Sequence, residues 1–186
     1  MRVGARRQLS ILLLAGVAST SCTHSRRPPA GASPLSSRER SVVAADGVVI
    51  TATQWDETMI ELSAAQAPGP DRAALRERLQ ARYGAAGLAF TVVIELADRP
   101  LDADVLAEPT AWWFRSGDVP ASRVELIAID RYPTGDGRAH LRLGFDVQFA
   151  PRSDIGTTLR VGSKAAVSRR AELGAGVARR GVRLRW

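Results

Sequence analysis

The clearest pattern along the chain is strict alternation. Over residues 138–149, Leu141, Leu143, Phe145, Val147 and Phe149 share one face, and His140, Arg142, Gly144, Asp146 and Gln148 the other. A period of two is the pattern of a strand with one buried face, so this segment should lie on a sheet over a core. Residues 124–129 are strand-like as well, and the intervening YPTGDG of residues 132–137 supplies turn chemistry. The two runs predict an antiparallel hairpin. Upstream, Phe90, Val92, Ile94 and Leu96 alternate with Thr91, Val93 and Glu95 until Asp98-Arg99-Pro100 stops the run. Residues 48–55 follow an Asp46-Gly47 turn and carry β-branched side chains on both faces. Residues 157–161 and 182–186 predict two further strands.

One segment has helical spacing. Asp71 is placed to cap a helix over residues 72–83, with Leu75, Leu79 and Tyr83 four apart and Gly84 as its stop. Its apolar stripe would cover a sheet edge or an end of the core. Many short strands, turn-rich connections and one short helix predict a mainly β fold. The expected form is an antiparallel β-sandwich, Ig-like or transthyretin-like, with an open β-roll or small barrel as the alternative.

The first 22 residues have a different pattern. Arg2, Arg6 and Arg7 precede an apolar run at 9–18, then Ser19, Thr20 and Ser21 lead to Cys22. This is the layout of a secretory signal. At about 1.5 Å per residue the apolar run covers roughly 15 Å, half of a hydrocarbon core of about 30 Å, which argues against a spanning helix. Thr20 and Ser21 before Cys22 resemble the lipobox of bacterial lipoproteins. Ser19 departs from the aliphatic residue usual there and leaves ordinary signal peptidase cleavage near residues 19–21 as the other route. Cys22 is the only cysteine, so an exported chain has no intramolecular partner for it.

The resemblance implies removal of residues 1–21 and lipidation of Cys22 with palmitate-type acyl chains. These would anchor the protein to a membrane. Thr23 after the cysteine implies the outer membrane of a bacterial envelope, with the domain facing the periplasm or the surface. Residues 22–40 are rich in Pro, Ser, Gly and Ala and read as a flexible tether. Residues 41–186 suit a single domain.

Charge changes the picture once it is divided. The net +7 splits into +6 over residues 1–40, −6 over 41–151 and +7 over 152–186. The domain nets only +1, so the basic pI gives no argument for a nucleic-acid partner. Arginine outnumbers lysine 25 to 1, a bias expected of a GC-rich genome, which weakens arginine count as a sign of phosphate recognition.

Candidate chemistry is sparse. The chain has no GxSxG elbow, Walker loop, HExxH or Cys/His ligand set, so neither metal nor cofactor is expected. His140, the one histidine of the domain, is expected on an exposed strand face. Asp56, Glu57 and Glu61 cluster, as do Asp98, Asp102 and Asp104, and both groups read as solvated loop acids. The densest aromatic cluster is Trp112-Trp113-Phe114, followed by Arg115. Neighbours on a strand point oppositely, so either Trp113 or the pair Trp112 and Phe114 faces out. The outward side, with Arg115, is the candidate partner surface. Arg183 and Arg185 should share a strand face opposite Leu184, within a basic stretch that includes Arg169-Arg170 and Arg179-Arg180. The expected function is a non-enzymatic domain contacting envelope protein or glycan, with a carboxylate hydrolase or a structural subunit of an envelope complex as alternatives.

Overall fold

The structure, a computed structural model, describes residues 38–44, 48–69, 71–100, 103–152, 158–164 and 181–186. The expected signal segment, Cys22 and the expected tether up to residue 37 lie outside these residues, as do Asp102, Arg169-Arg170 and Arg179-Arg180. Glu39 and Arg40, expected at the end of that tether, belong instead to a strand.

The chain is mainly β. Five strands form one antiparallel sheet: β1 (Glu39–Val43), β2 (Val48–Trp55), β3 (Leu88–Pro100), β6 (Arg123–Gly135) and β7 (Arg138–Phe149), in the order β1-β2-β3-β7-β6. The second sheet has the order β5-β4-β8-β9, built from β4 (Trp112–Ser116), β5 (Val119–Pro120), β8 (Thr158–Ser163) and β9 (Val182–Arg185). The sheets face each other across one core. Ile50, Phe90, Val92, Ile94, Leu143 and Phe145 of the first meet Trp112, Phe114, Leu159, Val161 and Leu184 of the second. Phe145 bridges them, with ring centroids 5.6 Å from Phe114 and 6.4 Å from Trp112.

The alternation over residues 138–149 places Leu141 to Phe149 inside as expected, and that over residues 90–96 does the same. β6 and β7 form the expected hairpin, but their pairing runs on to Gly135 opposite Arg138. The turn is therefore Asp136-Gly137 alone, with φ of 47° and 69°. Positive φ at both central residues gives a two-residue turn whose twist matches the strands it joins.

Two α-helices stand among the described residues where the sequence predicts one. The additional helix, α1 (Glu57–Ala65), arises from the acidic cluster: Asp56 caps it, its carboxylate accepting from the Met59 amide at 2.9 Å. Met59, Ile60 and Ala64 give it a buried side. Three acids in this short segment obscured the apolar spacing. α2 (Asp71–Tyr83) is the expected helix, beginning at Asp71 itself. Its stripe lies over the outward face of the five-stranded sheet, where Leu79 and Tyr83 join Ile60, Trp55 and Ala89 in a second small cluster.

At one seam the sheets approach each other through β1 and β9. Arg40 Nε donates to the Arg185 carbonyl and Trp186 Nε1 to the Arg38 carbonyl, each at 3.0 Å. Trp186 reaches inward to Phe90, with centroids 4.8 Å apart.

Candidate functional site

β4 decides which aromatics are available at the surface. Two short 3-10 turns lead into it, and Trp112 Nε1 donates to the Leu106 carbonyl at 2.7 Å, satisfying the indole inside the core. Trp112 is 4% exposed and Phe114 2%, so both belong to the core and drop out of the candidate surface. Alternation then turns Trp113 and Arg115 outward, with Trp113 half-buried and Arg115 exposed.

Pairing adds residues that the sequence pattern did not bring together. Arg115 lies opposite Arg160 on β8, and Arg160 opposite Arg183 on β9. These three arginines form one row across three strands, spaced by the interstrand distance of about 4.8 Å. One row along, Arg185 lies opposite Thr158. On the other side, Trp113 lies opposite Gly162. The expected sharing of a face by Arg183 and Arg185, with Leu184 inside, is what β9 shows.

The Arg160 guanidinium carbon lies 5.8 Å from the centroid of the Trp113 ring. Gly181, at φ 62°, abuts the same ring, which leaves no room there for a Cβ. None of the four strands of this sheet carries an acidic residue.

The outward face of the five-stranded sheet has the opposite chemistry. Asp146 on β7 is 0% exposed and is held by Arg82 Nε of α2 at 2.5 Å. Arg82 also reaches Glu125 at 3.3 Å, and Arg123 reaches Glu125 at 2.9 Å. Arg142 pairs with Glu95 at 3.5 Å. Beside this network the rings of Trp55 and Tyr83 stack 4.7 Å apart, and Trp55 Nε1 donates to Thr91 Oγ1 at 2.7 Å. Burial first, and then the Asp146 carboxylate, push the Tyr83 phenol above its ordinary value against the pull of Thr91 and Arg82. Partial burial opposes the charge on Arg82, but its hydrogen bond and closeness to Asp146 raise its pKa overall.

A cleft of about 280 Å³ opens next to this network, lined in part by Arg82, Ser122, Arg123, Gln148 and Phe149. Its two arginines are the ones that hold Asp146 and Glu125.

Three of the acids singled out as loop residues, Asp56, Glu61 and Asp98, have structural contacts. Asp56 caps α1 and pairs with Arg38 at 2.7 Å, and Glu61 pairs with Arg76 of α2. Asp98 has a positive φ of 51°, and its carbonyl accepts from Arg138. His140 is half-buried on β7 with its ring against Tyr132, centroids 6.3 Å apart. Among the described residues, no three His, Cys, Asp or Glu side chains are grouped to hold a metal ion. No described helix is long and apolar enough to cross a membrane.

The arrangement defines a β-sandwich-like domain with a basic sheet face that contains one half-buried tryptophan. In comparisons with known proteins, no family model, curated protein or solved structure matches the chain.

Proposed function

We propose that the chain is a bacterial envelope lipoprotein, exported by its N-terminal signal and anchored through Cys22. Its β domain is a non-enzymatic binding module, and the outward face of the four-stranded sheet is its working surface. The observation that carries this reading is the row Arg115, Arg160 and Arg183, flanked by Arg185 and Trp113, on strands without an acid. Like charges directly opposite each other are unfavourable in a sheet, and Arg115 and Arg183 lie exposed on either side of Arg160. Departures of this kind concentrate at functional sites. The non-enzymatic assignment is supported by the structural use of Asp56 and Glu61 in capping and ion pairing. The finer assignment of the fold as Ig-like or transthyretin-like draws on the two facing antiparallel sheets.

The test is retention of the full chain on a sulfated-polymer column. A chain carrying Arg115→Gln and Arg183→Gln is compared with one carrying Arg72→Gln and Arg78→Gln, both exposed on α2. The two variants have equal net charge. The sheet variant should elute at clearly lower salt, and equal elution would remove the basis for a dedicated face.

A further inference from the structure

We infer that the basic face of the four-stranded sheet docks on the anionic phosphate headgroups of the membrane to which the chain is tethered. This rests on the reading of that face as the working surface and names its occupant.

Charge complementarity is the first argument. Arg115, Arg160 and Arg183 stand side by side across three strands, with Arg185 one row away. A plane of phosphates is complementary to the exposed guanidinium groups of Arg115, Arg183 and Arg185. Trp113 lies among them, a residue type enriched where a protein meets the headgroup level. Its ring is partly covered, by Arg160 on one side and by the close approach of Gly181. Arginine charge is therefore what this face chiefly presents, in contrast to the open aromatic platform that stacking on a sugar needs.

The second argument is where the anchor segment joins the domain. The Arg38 carbonyl accepts from Trp186, and Arg40 donates to the Arg185 carbonyl. The chain bearing Cys22 thus enters the domain beside β9, the strand that carries Arg183 and Arg185. Fifteen residues separate Cys22 from Arg38. That length reaches at most about 50 Å when fully extended, and a coil of it spans roughly 20 Å. An acylated Cys22 would hold the basic face within this distance of the headgroups. Modest attraction then suffices, because the effective concentration is high.

The test uses the exported chain, residues 22–186, carrying Cys22→Ser, so that neither acylation nor the signal segment holds it, floated with two kinds of vesicle. One kind is phosphatidylcholine alone and the other phosphatidylcholine mixed with phosphatidylglycerol. Each arginine near an anionic surface contributes roughly fivefold to partitioning, so Arg115→Gln, Arg183→Gln and Arg185→Gln together should weaken binding to the mixed vesicles about a hundredfold at low salt. Binding to phosphatidylcholine alone should be equal with and without the three changes, since that surface carries no net charge. Equal binding of both proteins to the mixed vesicles overturns the inference. If column retention still depends on these arginines in that case, the binding face stands and its occupant is a soluble polyanion. If retention is also unchanged, the binding-face reading falls with it.

Discussion

The two sheets meet over one core but turn different chemistry outward. Over the five-stranded sheet, Arg82 of α2 and Arg123 and Arg142 of the strands each lie beside a carboxylate, and one of those carboxylates, Asp146, is fully buried beneath α2. On the four-stranded sheet Arg115, Arg160 and Arg183 lie beside one another. The same residue type therefore has two roles, which its count in the sequence does not separate. Opposite charges around Asp146 fasten a helix to a sheet, a task internal to the fold. On the proposed reading, the exposed guanidinium groups of Arg115, Arg183 and Arg185 meet an external anion instead.

Phe145 serves both regions, and its truncation tests the frame they share. Phe145→Ala should lower unfolding free energy by about 3–5 kcal/mol in a urea titration, because its ring fills the space between Phe114, Trp112 and the first sheet. Both faces should be lost in one transition. Next in size is Arg82→Ala, which leaves the buried Asp146 carboxylate without its main partner. Breaking a buried pair costs about 3–5 kcal/mol, and the partial exposure of Arg82 reduces this to about 2–3 kcal/mol by the same titration. A loss below that of an ordinary surface change would mean that Asp146 is satisfied without Arg82.

A smaller effect is expected from Tyr83. Its phenol titrates higher in the folded chain than the usual 10.0, so above that pH the unfolded chain releases this proton first. Stability from this group is complete below pH 10 and falls as pH rises further, at no more than about 1.4 kcal/mol per pH unit. Tyr83→Phe should flatten that alkaline slope in thermal unfolding curves. The smallest change in stability is expected for Arg115→Gln with Arg183→Gln, within about 0.5 kcal/mol and toward greater stability, since like-charge contacts are removed. A loss as large as that of Arg82→Ala would erase the distinction between the two faces.

Much of the five-stranded sheet was legible in the sequence, because burial on one face imposes period two. The runs from Phe90 to Leu96 and from Leu141 to Phe149 carry that signature over several residues, and both are core. Helix α1 was hidden because Asp56, Glu57 and Glu61 crowd its start, and acids there serve capping and the helix dipole as readily as solvent. The direction of Trp112 and Phe114 depended on a core not yet assembled, since alternation fixes which residues share a face and leaves open which face is inside. Arg115 and the pair Arg183 and Arg185 stood out locally. Arg160 did not, and the row it completes depends on the register of β4 with β8 and of β8 with β9. Register between strands far apart in sequence leaves little trace in either strand alone. Asp146 shows the converse: a polar position on an alternating strand, buried because Arg82 of α2 lies across it.

On the proposed reading, arginines of the four-stranded sheet face an external anion while Arg82, Arg123 and Arg142 hold the fold. A ligand that binds the folded chain raises its unfolding midpoint, so the shift produced by an inorganic polyphosphate reports anion binding. The measurement compares full chains carrying Arg115→Gln with Arg183→Gln and Arg72→Gln with Arg78→Gln. The α2 variant should keep the shift of the unaltered chain and the sheet variant should lose most of it; equal shifts in the two variants would mean that the four-stranded sheet holds no dedicated anion face.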